Sequence, residues 1–161
     1  MVRVGVLSDT HGDLQAAMAA VISMGKVAML LHAGDHYRDA RELARRVEVP
    51  VHTVVGNCDL QSSGPNELIV VADRARIMLT HGHGYRVKQQ LDSLIARARA
   101  LSVNAVVFGH THVAEEFKDG DILFLNPGCL SLTRSRDGRR TFAVIEVDGS
   151  ECRAIISELP S

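Results

Sequence analysis

The sequence has no tryptophan, only two tyrosines and four phenylalanines, and three cysteines in 161 residues. Those cysteines, Cys58, Cys129 and Cys152, are odd in number, far apart and never in Cys-x-x-Cys spacing. The pattern speaks against a disulfide framework and fits a reducing compartment. Long hydrophobic runs are missing too. No window approaches the ~18 apolar residues of a transmembrane helix, and no charged segment followed by a long apolar core opens the chain as a secretory signal would. The expectation is a cytoplasmic protein that does not enter a membrane. Nor is there an excess of either charge: 18 Lys and Arg against 19 Asp and Glu give a formal net charge of −1. That argues against long nucleic acid or an anionic lipid surface as partner, and leaves a small phosphorylated ligand open.

What is present is a 46% hydrophobic composition at a length that makes one domain, residues 1–161, and buries a core without staples. The unusual component is histidine, with eight residues. Histidine is the commonest metal ligand and a frequent acid or base, so its placement matters.

The chain reads as strands alternating with helices, then as hairpins. "VRVGVL", "VAMLLHAG" and "PVHTVVGN" are short apolar runs, the form of strands buried on both faces. Between them, "DLQAAMAAVISMG" has helical spacing with Asp13 as N-cap and Gly25 as stop, and "YRDARELARRVE" is helical in composition. "LIVVADRARIMLTHGH" predicts two strands around a turn near Ala72–Arg74, "VKQQLDSLIARARALS" a third helix over 87–102, and "NAVVF" a further strand. Two Asp-Gly turns then mark late hairpins. The fold class is α/β: parallel strands between helices, with antiparallel strands alongside.

Each of five strands ends in a polar cluster: Asp9 and His11, Asp35 and His36, Asn57 and Asp59, His81 and His83, His110 and His112. A lone Asp before a helix is ordinarily a cap, and a lone His at a strand end an ordinary surface residue. Five clusters at one topological edge are different, because the C-terminal ends of parallel strands in one open sheet share the edge where ligands bind. Two carboxylates and several imidazoles gathered there need a counter-charge, and a divalent metal supplies it. Mixed oxygen and nitrogen donors without clustered thiolates suit Mn²⁺, Fe²⁺, Ni²⁺, Co²⁺ or Zn²⁺. Seven candidate donors suit two ions ~3.5–4 Å apart with one carboxylate shared.

With "SDTHGD", "HAGD", "GNCD", "THGH" and "GHTH" in this order, and "NPGC" at Asn126–Cys129, the chain resembles the calcineurin-like metallophosphoesterases, in particular their small phosphodiesterase branch. The resemblance implies a layered fold of mixed β-sheets flanked by helices. It implies Asp9, His11 and His112 on a first metal, Asn57, His81 and His110 on a second, and Asp35 bridging. Manganese is the first expectation for the ions, with the other four open. Two dications and two carboxylates leave about two positive charges, a surplus that attracts phosphate and activates water. The implied reaction is attack of a hydroxide held between the metals on a small phosphodiester, with Asp35, Asn57, His81 and His83 as catalytic residues.

One position departs from the family pattern. The His that follows Gly-Asn, implied to protonate the leaving oxygen, is Cys58 here. A thiol with a pKa of about 8.5 replaces an imidazolium poorly, which favours phenolate over alkoxide leaving groups and diesters over monoesters. Asp59 reads as a support for a ligand or a loop backbone. His83 either touches substrate phosphate or faces solvent, and His36 is equally open. His32 and His52 lie inside predicted strands and read as structural; Cys129 and Cys152 read as small hydrophobes. Two rivals stand beside the enzyme: a scaffold like the family's eukaryotic retromer subunit, and a nuclease acting on nucleic-acid ends. The full set of seven coordinating residues speaks against the scaffold. A homo-oligomer paired through a sheet edge or helix face would leave no flag in the sequence.

Overall fold

The computed structural model describes residues 1–160; Ser161, the last residue of the expected domain, lies outside them. Among the described residues, ten strands form two five-stranded mixed sheets. In the first, β1 (Val2–Leu7) lies between β2 (Met29–His32) and β9 (Thr141–Asp148), with β3 (Val51–Thr53) and β10 (Glu151–Glu158) at the edges. Strands β1, β2 and β3 are parallel, and β9 and β10 run antiparallel beside them. The second sheet runs β4 (Glu67–Ala72), β5 (Ala75–Thr80), β6 (Ala105–Val107), β8 (Ile122–Asn126), β7 (Glu115–Asp119). Its central β5, β6 and β8 are parallel, and both edge strands are antiparallel.

The sheets stack face to face. Val4, Val6, Leu31 and Ile145 from the first share a core with Ile77, Leu79, Val107 and Leu125 from the second. The alternate residues of the same strands point outward and are covered by helices. Leu7, Leu30 and Val144 pack under α1 (Leu14–Met24) and α2 (Tyr37–Arg46), through Ala16, Ala17, Ala20 and Leu43. Met78, Val106 and Phe124 pack under α3 (Asp92–Leu101), through Leu94 and Ala98. Covering both faces is why the central strands read as unbroken apolar runs. Asp13 caps α1 as its position predicts, its carboxylate accepting from Ala16 N at 2.9 Å, and Gly25 ends the helix at φ +69°. Among the described residues no helix is long and apolar enough to cross a membrane.

Two expectations need correction. The five polar clusters do not share the edge of one sheet; β1, β2 and β3 belong to the first and β5 and β6 to the second. Ten strands sit at the size where an open sheet splits into two that cover each other's apolar faces. The third helix starts at Asp92, not Val87. The chain from Val87 to Leu91 is held in turns instead: Val87 N donates to Gly82 O, Gln89 N and Gln90 N to Arg86 O, and Val87 is buried against the second sheet.

Candidate metal centre

The C-terminal ends of β1, β2, β5 and β6 meet where the two sheets adjoin, and their side chains converge. Asp9, Asp35 and His81 are buried; His11, His83, His110 and His112 are half-buried. Nε2 of His81, His112 and His11 lie 3.1, 3.2 and 3.7 Å from Oδ1 of Asp9. Nε2 of His81 and His11 lie 3.4 and 3.9 Å from Oδ2 of Asp35.

Each carboxylate divides its work between its two oxygens. Oδ2 of Asp9 accepts from Ser8 Oγ at 2.6 Å and from the His110 backbone N–H at 3.1 Å, tying β1 to the loop after β6. Oδ1 of Asp35 accepts from Cys58 N at 2.9 Å, tying the loops after β2 and β3. The remaining oxygen of each faces the imidazoles. Asp59 completes the bracing: its carboxylate accepts from the backbone N–H groups of Asp35, Gly56 and Tyr37. It therefore supports loop backbone, the second of the roles open to it in the sequence.

The loops that aim these side chains are left-handed. Among the described residues, five of the eight non-glycine residues with positive φ are Asp9, His11, Asp35, His110 and His112. Such a conformation costs each residue on the order of 1–3 kcal/mol and persists where surrounding structure over-determines it. Gly109 shows how closely the strands approach here, since a Cβ on it would stand 2.5 Å from Asp9 Oδ2.

The electrostatics ask for positive charge at the centre. Burial raises the pKa of Asp9, but hydrogen bonds from His11, His112 and His81 outweigh it and hold the carboxyl well below its usual range. Hydrogen bonding to Asp9 pushes His112 upward, against its burial. Nδ1 of His112 lies 2.8 Å from the Arg134 carbonyl and must donate to it. In the neutral ring Nε2 is then a lone pair aimed at a carboxylate oxygen, an arrangement that a cation between them relieves. Burial, with His81 and Lys88 nearby, lowers His110 to about 4, so its imidazole is neutral at pH 7 and free to coordinate. Three triads bring a donor atom from each member within 4.8 Å of the others: Asp9, His11 and His112; Asp9, Asp35 and His81; His11, Asp35 and Cys58. The donor chemistry fits divalent metal.

Asn57 is exposed, its amide nitrogen 3.8 Å from Cys58 Sγ, and it joins no hydrogen bond with the histidines. The His110 ring stacks edge-on to His81 with centroids 5.0 Å apart. His83 is joined to His81, Nδ1 to Nδ1 at 3.1 Å, so one ring orients the other. His36 sits further out, its ring centroid 6.4 Å from that of His11. Cys58 is exposed as a residue, yet desolvation of the thiol and the Asp35 carboxylate push it up to about 11. It stays a neutral thiol at pH 7. His52 is half-buried in β3, and Cys152 lies in the core between the sheets. Cys129 is buried with its thiol 3.2 Å from the Asp9 carbonyl.

Several supporting residues were missed by sequence reasoning. Thr10 Oγ1 donates to Asp39 at 2.6 Å, and Asp39 also accepts from Gly12 N, fixing the turn between Asp9 and His11. His32, read as structural, holds the next loop: its Nδ1 accepts from Gly34 N at 3.2 Å, so its Nε2–H points to Thr10 Oγ1 at 3.0 Å. Asn126 donates to Gly109 O and Thr111 Oγ1 and braces the last histidine loop. Only Asn126 left a signal, in "NPGC"; the Arg134 carbonyl that fixes His112 is backbone and leaves none.

Residues 2–150 match the calcineurin-like phosphoesterase superfamily domain. The chain belongs to that superfamily. It is 33% identical over 132 residues to the probable metallophosphoesterase YsnB of Bacillus subtilis, covering 81% of this chain and 76% of that one. A predicted phosphoesterase from Streptococcus pneumoniae, uncharacterized, superposes with a TM-score of 0.83 at 29% identity, over 98% of this chain and 89% of its own. Two more distant structures share the phosphoesterase fold. Vps29 of Entamoeba histolytica, solved with zinc, has a TM-score of 0.79 at 20% identity over 99% and 100% of the two chains. An archaeal phosphodiesterase has a TM-score of 0.75 at 21% identity over 97% and 100%. The layered architecture of two mixed sheets flanked by helices is therefore that of the superfamily, as the sequence implied.

Proposed function

We propose that the protein is a metal-dependent phosphodiesterase for small diesters. One observation carries this reading: two buried carboxylates each tie loops together with one oxygen and turn the other toward imidazoles from both sheets. Asp9, His11 and His112 would hold one divalent ion, Asn57, His81 and His110 a second, and Asp35 would be shared. Mn²⁺ is the first choice, with Ni²⁺, Fe²⁺, Co²⁺ and Zn²⁺ compatible with the same donors. When bound, such ions act as Lewis acids on the phosphoryl oxygens and bring the pKa of water down toward ~7.

The chain's own residues do the rest. Five of the seven donors are neutral, so the site keeps a positive surplus that attracts a phosphate anion. His83 holds the His81 ring through its Nδ1 contact, and Asp59 keeps the Asp35 and Gly56 backbones in register. Cys58 occupies the place of the family's proton-donating histidine and, as a neutral thiol, gives the leaving oxygen little help. Activated diesters suit that arrangement and monoesters with poor leaving groups do not.

The archaeal phosphodiesterase supports the diester reading through its fold alone. Vps29 shares the same fold, so the donor set rather than the architecture favours an enzyme over a scaffold. Long polymers are disfavoured by the near-zero net charge. The test strips metal, restores Mn²⁺ and compares bis-p-nitrophenyl phosphate with p-nitrophenyl phosphate. Metal-dependent cleavage, faster on the diester, is expected. No cleavage with any divalent ion would move the protein to the scaffold class.

A further inference from the structure

Beside the metal centre lies a groove of about 850 Å³ between α2 and the loop at residues 61–63. Gly12 and His36 line its near end, and the His36 ring centroid lies 6.4 Å from that of His11, which places this end beside the centre. Its floor is basic. Arg38, Arg41 and Arg45 line it at i, i+3 and i+7, one face of the helix. Of the two carboxylates alongside, Glu42 is taken by Arg45 and Arg46, at 3.3 and 3.0 Å. Asp39 is buried and turned to Thr10 and Gly12. Among the described residues Arg38 and Arg41 make no ion pair, and both are exposed. They stand about 4.5 Å apart along the helix axis, close enough to serve one anionic group. Ser62 and Ser63 offer hydroxyls on the opposite wall.

Unpaired guanidiniums are suited to phosphate, which they grip with paired, charge-assisted hydrogen bonds. We infer that this groove is a subsite for a second phosphate, and that the preferred substrate is a phosphodiester with a further phosphate on the unit entering the groove. This rests on the phosphodiesterase reading of the metal centre. It narrows the substrate class to small diesters that carry a further phosphate, and separates them from neutral-flanked diesters.

The experiment uses three p-nitrophenyl diesters of thymidine, all with the phenolate leaving group that the site favours: the 5′-ester without a further phosphate, the 5′-ester with a 3′-phosphate and the 3′-ester with a 5′-phosphate. Each is cleaved by the Mn²⁺-loaded wild type and by an R38Q/R41Q variant. In the wild type one phosphorylated form should show a KM at least about tenfold below that of the unphosphorylated form, the size expected for a charged hydrogen-bonded contact. In the variant that ratio should fall to about one. The ratio is taken within each protein, so a general change in activity cancels. Equal KM values for all three in the wild type, or a preference that survives in the variant, would overturn the subsite.

A calorimetric titration of the phosphorylated thymidine esters separates this inference from the one beneath it. If the wild type cleaves neither these nor bis-p-nitrophenyl phosphate, the phosphodiesterase reading fails. Wherever the phosphorylated esters are not cleaved, the groove stands only if the wild type binds one of them at least about tenfold more tightly than the variant does. Equal binding, or none by either protein, removes it.

Discussion

The first sheet ends in carboxylates and the second in imidazoles alone. Asp9 follows β1, Asp35 follows β2, and Asn57 and Asp59 follow β3, with His11 the one proposed metal-binding histidine on that side. His81 and His83 follow β5, and His110 and His112 follow β6. Neither set is comfortable alone. Buried carboxylates without counter-charge are costly, and clustered imidazoles depress one another's pKa, as the lowering of His110 partly by His81 shows. Stacked, the sheets complement each other across Asp9, which takes hydrogen bonds from both. The centre is a property of the interface between two halves that share no strand.

The largest test of that comparison is Asp35→Ala. Losing this carboxylate should lower turnover of bis-p-nitrophenyl phosphate by on the order of 10³-fold or more and leave fewer than two ions per chain by elemental analysis. Near wild-type turnover with two ions retained would remove Asp35 from its shared position. On the imidazole side, His110→Ala should cost about 10²-fold and release one ion while the other stays. A variant that lost both would show that the two ions are not separable. Asp59→Asn probes the bracing of the first sheet. It should weaken Mn²⁺ affinity about 10–100-fold by titration with little change in the fold's circular dichroism; unchanged affinity would confine Asp59 to packing.

A smaller effect separates the sheets by pH. Burial lowers His32, in the first sheet, to about 4. Its unfolded value is the ordinary one of about 6.5, so the unfolded chain takes up the proton first. Stability from this group is complete above about pH 6.5 and is lost as pH falls toward 4, by about 3 kcal/mol in all. Urea unfolding of the metal-free protein at pH 7 and 4.5 should show it, and His32→Asn should flatten the slope. An unchanged slope would mean that His32 does not titrate this way. The smallest change expected is Cys58→His, which should raise turnover of phosphomonoesters with poor leaving groups severalfold, toward the ~10² available to a general acid. No gain would place Cys58 outside the leaving group's reach.

Much of the fold was legible because local chemistry wrote it. Asp13 and Gly25 bound α1, the turn at Asp73–Arg74 joins β4 to β5, and the Asp-Gly pairs close the late hairpins. The start of α3 was not legible. Composition from Val87 onward favours a helix, but the hydrogen bond from Val87 to Gly82 and its burial against the sheet hold the chain in turns. At the centre, the polar residues after each strand could be read as candidate donors because five such clusters close apolar runs, although Asp59 among them braces loop backbone.

The sequence by itself determined which residue types end each strand, and through motif order the superfamily. Spacing within one segment records whether a side chain leaves a strand's end. Only the tertiary structure decided that those ends come from two sheets, that Asp9 stands between them, and that five of the candidate donors sit at positive φ. Partner distance across sheets and backbone handedness at a non-glycine residue are imposed by packing far along the chain, and no local pattern carries them.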